Sequence, residues 1–169
     1  MPATGLDFSY RSATLWLVEM IFAPQDPEFS ARVRSSFERQ RVMAALGVTL
    51  AHVDPGRVEL ELAFDPRLTQ QHGFMHAGIV ATALDSACGY AAFSLMPADA
   101  GVLTVEYKIN FLAPAVADRF LLIGTVVKAG RTLTVCQGEA IGLRAEKRQL
   151  VATMTSTVMA VHGRSDVDQ

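Results

Sequence analysis

The chain has 169 residues, of which 50% are hydrophobic and 19% charged, and its formal net charge is −2. That composition describes a core-forming globular protein, excludes a disordered chain, and with its scattered basic residues gives no footprint for nucleic acid as the main partner. The two cysteines, Cys88 and Cys136, show no metal-ligand spacing and form no disulfide framework, which fits a cytoplasmic protein whose core needs no staples.

Residues 1–46 are expected to form an N-terminal helical extension. Ala13 to Phe22 is apolar enough to dock on a domain, and Pro24 and Pro27 end it. Only Arg11 immediately precedes that stretch and Glu19 interrupts it, so it does not have the make-up of a signal peptide. Ser30 to Leu46 has helical spacing: Ser30 is placed to cap, Val33, Phe37 and Ala44 share a face, and Gly47 is a stop. Arg32, Arg34, Arg39 and Arg41, with Glu38, fall on its flanks and far side, as on a solvated surface helix.

At Gly47 the period changes to two. Val48 to Val53 and Arg57 to Phe64 read as a hairpin about the Asp54-Pro55-Gly56 turn, with Val58, Leu60, Leu62 and Phe64 on one face. A loop covers 65–75. The apolar run Ile79 to Met96 then predicts a long helix with one charged side chain, Asp85. The stretch from Ala77 to Met96 approaches membrane-span length, but Asp85, two glycines and the Pro97-Ala98-Asp99 stop predict a buried core helix instead.

Four further strands are expected: Leu103 to Phe111, with Leu103, Val105, Tyr107, Ile109 and Phe111 inward; Phe120 to Val127; Thr132 to Leu143; and Gln149 to Val161. Lys128 to Arg131 is a hairpin turn, and 162–169 is a polar tail. The 47–161 domain is thus α+β, an antiparallel sheet of six strands with one long central helix. One helix covers only part of one sheet face, so a homodimer at least is expected, with a homotetramer as the further possibility.

On that helix Gly78, Ala81, Thr82, Asp85, Cys88, Gly89 and Ala92 fall along one stripe, and Val80, Leu84, Ala87, Ala91 and Leu95 along another suited to packing on the sheet. Burial pushes a lone carboxyl upward, and such a group can act as base or nucleophile, while a structural aspartate is an equal reading from residue type alone. The Gly73-to-Gly78 turn opens the helix, and free N–H groups of Ala77 or Gly78 there suit an oxyanion. His72 and His76 lack an evident third ligand, so no metal is expected. Cys88 has no matched base and reads as a small buried thiol.

These residues resemble the hotdog-fold acyl-CoA thioesterases of the PaaI-like and 4-hydroxybenzoyl-CoA thioesterase group. That family carries an H-G-G turn before its central helix and an acidic residue eight positions after the first glycine; here the turn is His76-Ala77-Gly78 and the acid is Asp85. An amide seven residues upstream of that glycine is matched by Gln70, and a Ser or Thr on the following strand by Thr104. Asn110 to Ala115 and Val127 to Thr132 are similar to the family's "P-A" and "K-x-G-(K/R)-T" segments.

The resemblance implies a hotdog fold with an extra N-terminal helical segment, a sheet wrapped round the central helix, and hydrolysis of an acyl-CoA thioester without a cofactor, CoA entering as part of the substrate. It implies Asp85 as base or nucleophile, Ala77 and Gly78 as oxyanion donors, His76 orienting the turn or touching the thioester oxygen, and Gln70 and Thr104 positioning water or carboxylate. Lys128 and Arg131 become candidates for the CoA phosphates. Ala77 departs from the family glycine. Tyr90, Phe93, Phe74 and Met75 are placed to narrow an acyl pocket. Two other readings stand beside it: a hotdog dehydratase or hydratase using His72 and Asp85, and a non-catalytic acyl-CoA sensor.

Overall fold

The computed structural model describes residues 22–164, so the expectations for residues 1–21 and 165–169 lie outside the described residues. The 30–46 stretch is two helices: α1 (Phe29–Arg39) and α2 (Arg41–Leu46). Gln40 between them is extended (φ −73°, ψ 94°), which breaks the helical path. Ser30 is not the cap; α1 starts after Glu28, whose N–H donates to Asp26 Oδ1 at 2.9 Å. Gly47 does stop α2, with φ 70°, a left-handed geometry that costs glycine nothing.

Six strands follow, β1 (Val48–Asp54), β2 (Arg57–Ala63), β3 (Gly101–Phe111), β4 (Arg119–Lys128), β5 (Leu133–Arg144) and β6 (Lys147–Val161), with helix α3 (Ala77–Phe93) between β2 and β3. They form one antiparallel sheet in the order β1-β2-β4-β5-β6-β3, and α3 touches every strand. This is the hotdog arrangement. Among the described residues no helix is long and apolar enough to cross a membrane.

The sheet-facing stripe of α3 is the expected one. Val80, Leu84, Ala87 and Ala91 are wholly buried and Leu95 nearly so; burying each of the larger side chains contributes about 1.5–3 kcal/mol. Small residues let the helix settle closely on the strands. A Cβ at Gly124 of β4 would lie 2.3 Å from the Ala87 backbone, and one at Gly138 of β5 would lie 2.9 Å from Leu84 Cγ. Cys88 and Cys136 are free thiols inside this contact, the second donating weakly to the carbonyl of the first (3.5 Å).

Two corrections concern what lies against α3. Arg32 is not a solvated side chain: its guanidinium donates to the carbonyls of Phe93, Met96 and Pro97 at 2.7–3.3 Å, pairs with Asp26 at 2.8 Å, and sits over the Phe93 ring. It therefore caps the carbonyl-rich end of α3, where a cation is favoured. On β3, the strict alternation fails at a β-bulge between Thr104 and Glu106. Val102 and Thr104 before the bulge, and Tyr107, Ile109 and Phe111 after it, oppose the buried β6 residues Ala160, Val158, Ser156, Met154 and Ala152. Leu103 opposes Met159 on the other face, and Val105 is the extra residue. The bulge is thus what turns Thr104 towards the helix.

β3 is an edge of the sheet, and Val105, Tyr107 and Phe111 are 45–55% exposed on it. An apolar edge strand with open backbone groups is a template for pairing with another chain.

Candidate active site

The approach to α3 is built by backbone. Residues 69–75 fold back on themselves: Gln70 N–H donates to Phe74 O and Gly73 N–H to Gln70 O, both at 2.9 Å, with Gly73 at φ 81° making the turn. Met75 N–H donates to Ala115 O and His76 N–H to Leu68 O, which fixes where the helix begins. His76 is the N-cap, and its Nδ1 accepts the Gly78 N–H at 3.0 Å. A Cβ at Gly78 would crowd that ring at 3.2 Å, so the small residue two places on lets the histidine fold over the helix end. The Gly78 N–H is therefore already engaged. Among the described residues the Ala77 N–H, exposed at the first helical position, is not taken by any acceptor.

Two turns along α3, Asp85 is half-buried and accepts the Thr104 hydroxyl at 2.9 Å. Its carboxyl is pushed above the usual aspartate range by burial, with the Thr104 hydrogen bond acting in the opposite sense. The pair opens on a cavity of about 250 Å³ whose α3 wall is Asp85, Ser86, Gly89 and Tyr90. The opposite wall comes from the N-terminal segment: Ser36, Arg39 and Gln40.

Of the residues expected in a site, the fold joins Asp85 with Thr104 and gathers His76, Ala77 and Gly78 at the helix start. Gln70 is elsewhere occupied. Its side-chain oxygen accepts the His72 N–H within the loop, and among the described residues no hydrogen bond joins it to Asp85 or Thr104. Lys128 and Arg131 are exposed at the β4–β5 turn. Lys128 pairs with Val135, on the sheet face turned from α3, and β4 lies three strands from β3, about 14 Å. Of the aromatic and methionine residues expected to narrow a pocket, Tyr90 lines the cavity, Phe93 and Met75 are core residues, and Phe74 is exposed. The Asp85 stripe is likewise open only in part, since Ala81, Cys88 and Ala92 are buried.

The sequence reading missed Ser36, Arg39, Gln40 and Ser86. Ser86 Oγ donates to Gln40 Oε1 at 3.2 Å, and Ser36 Oγ lies 3.3 Å from Tyr90 Oη. Only the helical face that brings Ser36 and Phe37 under Tyr90 carried any local signal, and the break at Gln40 carried none.

A fold of this kind, with a raised carboxyl two turns along the helix, fits a class of hydrolytic protein, and the comparisons agree. The Thioesterase superfamily model matches residues 72–151. A thioesterase family protein from Silicibacter pomeroyi is 57% identical, with a TM-score of 0.79 over 80% of this chain and 99% of that one. A Saccharolobus solfataricus relative, named as a candidate esterase, is 32% identical over 59% of this chain and 70% of its own length. Acyl-coenzyme A thioesterase 13 of Mus musculus is 27% identical over 51% of this chain and 61% of its own. The chain belongs to the thioesterase superfamily and is a thioester hydrolase.

Proposed function

We propose that the substrate is an acyl-CoA thioester, cleaved to the free acid and CoA, and that Asp85 is the reacting carboxylate. The observation that carries this reading is the Thr104–Asp85 hydrogen bond at the mouth of the cavity. The mouse relative, an acyl-coenzyme A thioesterase, supports the acyl-CoA part. The ionised carboxylate, oriented by Thr104, takes a proton from water as the water oxygen adds to the thioester carbon. Collapse breaks the C–S bond, and the proton passes to the departing sulfur. In the alternative order Asp85 adds to the carbon first, CoA leaves, and water cleaves the resulting anhydride. The developing oxyanion is held by the Ala77 N–H, since the Gly78 N–H is bound to His76.

Ala77 and Asp85 are eight residues apart on one helix, about 12 Å along its axis. The N–H and carboxylate that meet on one thioester therefore come from two copies of the chain, brought together by pairing along the apolar edge of β3. Gln70 reaches the reacting groups across the same dimer, and Lys128 and Arg131 are the cations offered to the CoA phosphates. Residues 47–161 are the catalytic domain, and the described part of the extension before it, 22–46, packs beside it.

The test is Asp85→Asn assayed by thiol release. A loss of at least about 10²-fold in kcat in a dimer of unchanged thermal stability or better supports the reading. A full rate would overturn it.

A further inference from the structure

The cavity beside Asp85 has a feature that thioester cleavage does not need. Its wall opposite α3 is contributed by Ser36, Arg39 and Gln40, all outside the segment that matches the superfamily model. These groups are polar, and their polarity has a sense. The Gln40 side-chain oxygen is occupied by the Ser86 hydroxyl, which leaves its NH2 group as a donor. The Tyr90 phenol is buried and held by Ser36, and it ionises less readily for being buried, while the nearby Arg39 charge acts in the opposite sense. Arg39 itself is exposed and forms no ion pair among the described residues. Asp85 is the one carboxylate on the cavity wall. An end lined by an arginine, an amide NH2 and a phenol favours a ligand group rich in acceptors and negative in charge.

Gly89 is the second, independent observation. It sits within α3, where glycine costs about 1 kcal/mol relative to alanine. Among the described residues nothing lies within 4 Å of the position its Cβ would take. The glycines at 124 and 138 are explained by close approach of helix and strand; Gly89 has no such neighbour among the described residues. It faces the cavity and keeps it open. The volume of about 250 Å³ is below that of pockets that enclose drug-sized ligands and is of a size to take a short acyl chain.

We propose that this cavity is the acyl pocket and that it selects short acyl groups ending in a carboxylate, with Arg39 and the Gln40 amide receiving that end and Gly89 making room for the chain. This rests on the thioesterase reading above and adds the substrate class to it. Asp85 and the terminal carboxylate lie at opposite ends of the acyl chain, so the two negative groups do not meet.

The experiment compares glutaryl-CoA with valeryl-CoA, which has the same chain length and no terminal charge, in thiol release by the full-length protein and by Arg39→Gln and Gly89→Val. The expected result is at least a tenfold higher kcat/KM for glutaryl-CoA in the wild type. That preference falls by at least tenfold in Arg39→Gln, through a raised KM for glutaryl-CoA. Gly89→Val lowers kcat/KM for both. Binding of the same two thioesters to Asp85→Asn, measured by calorimetry, separates the two layers of the argument. Tighter binding of glutaryl-CoA that Arg39→Gln abolishes supports the pocket even if Asp85 proves dispensable for turnover. Equal handling of the two thioesters by the wild type, or a glutaryl preference that Arg39→Gln leaves intact, overturns the proposal while leaving the thioesterase reading in place.

Discussion

The Thr104 hydroxyl donates to Asp85 Oδ1 at 2.9 Å, tying the middle of the central helix to an edge strand. Two opposing influences act on that carboxyl. Burial raises its pKa above the ordinary 3.8, and the threonine hydrogen bond lowers it. The acid limb of the pH–rate profile is therefore expected above the range of a solvated aspartate, because the reactive form is the carboxylate. Thr104→Val removes the lowering influence only, so the limb moves to higher pH in that variant. A kcat/KM profile from pH 4 to 9 checks both statements, and a limb that moves down in Thr104→Val contradicts them.

The same shift has a thermodynamic consequence. A carboxyl whose folded pKa lies above its unfolded value favours folding in its protonated form, and that contribution is lost as pH rises through the folded pKa. Above its folded pKa the ionised Asp85 is thus a stability cost. Asp85→Asn, which cannot ionise, is expected to melt at a higher temperature than the wild type at pH 7. The gap should close as the pH falls below the unfolded aspartate value. Thermal unfolding at pH 7 and pH 3 reads this directly; a destabilised variant at pH 7 would mean that the carboxylate has a structural partner.

Much of this was legible in the chain. The alternation of Val58, Leu60 and Leu62 and the sheet-facing stripe of α3 are periodic over enough residues to be read without coordinates, and each of these strand residues is buried. The position of Asp85 on a small-residue stripe was legible for the same reason. What was not legible came from tertiary contacts that leave no period. The β3 bulge reverses the face of every residue before it, so the side chains expected inward at Leu103 and Val105 are not, and Thr104 is. Gln40 breaks an otherwise continuous helical pattern, and Arg32 lies on a charged flank yet serves a helix end more than sixty residues away.

Arg32 is therefore a sharper stability test than its sequence context suggests. It satisfies three carbonyls at the end of α3 and neutralises Asp26, which is itself buried. Removing one partner of a buried pair leaves the other charge without compensation. Arg32→Ala is expected to cost about 3–5 kcal/mol, and Asp26→Asn combined with Arg32→Met to cost less than the single alanine change. Urea unfolding of the two variants and the wild type decides it; a cost of Arg32→Ala below about 1 kcal/mol would place the arginine among ordinary surface pairs.

Ala77→Pro isolates the backbone donor. Ala77 is the first helical residue, a position where proline is tolerated because that N–H has no intrahelical partner. His76 before it, at ψ 134°, already has the extended geometry that a following proline demands. Ala77→Pro thus deletes one N–H and leaves the helix. If that N–H holds the oxyanion, kcat falls by about 10²–10³-fold with thermal stability retained. Mixing inactive Ala77→Pro and Asp85→Asn chains under conditions that exchange subunits then gives a decisive readout. A site assembled from two copies is restored in one of the two positions of each hybrid dimer, and random mixing returns about a quarter of the wild-type rate. A site contained within one chain stays broken in every hybrid, and the mixture remains inactive. Recovery would also require the β3 edge to be the pairing surface, so Tyr107→Lys, which puts a charge on that edge, should yield monomers and abolish the recovery.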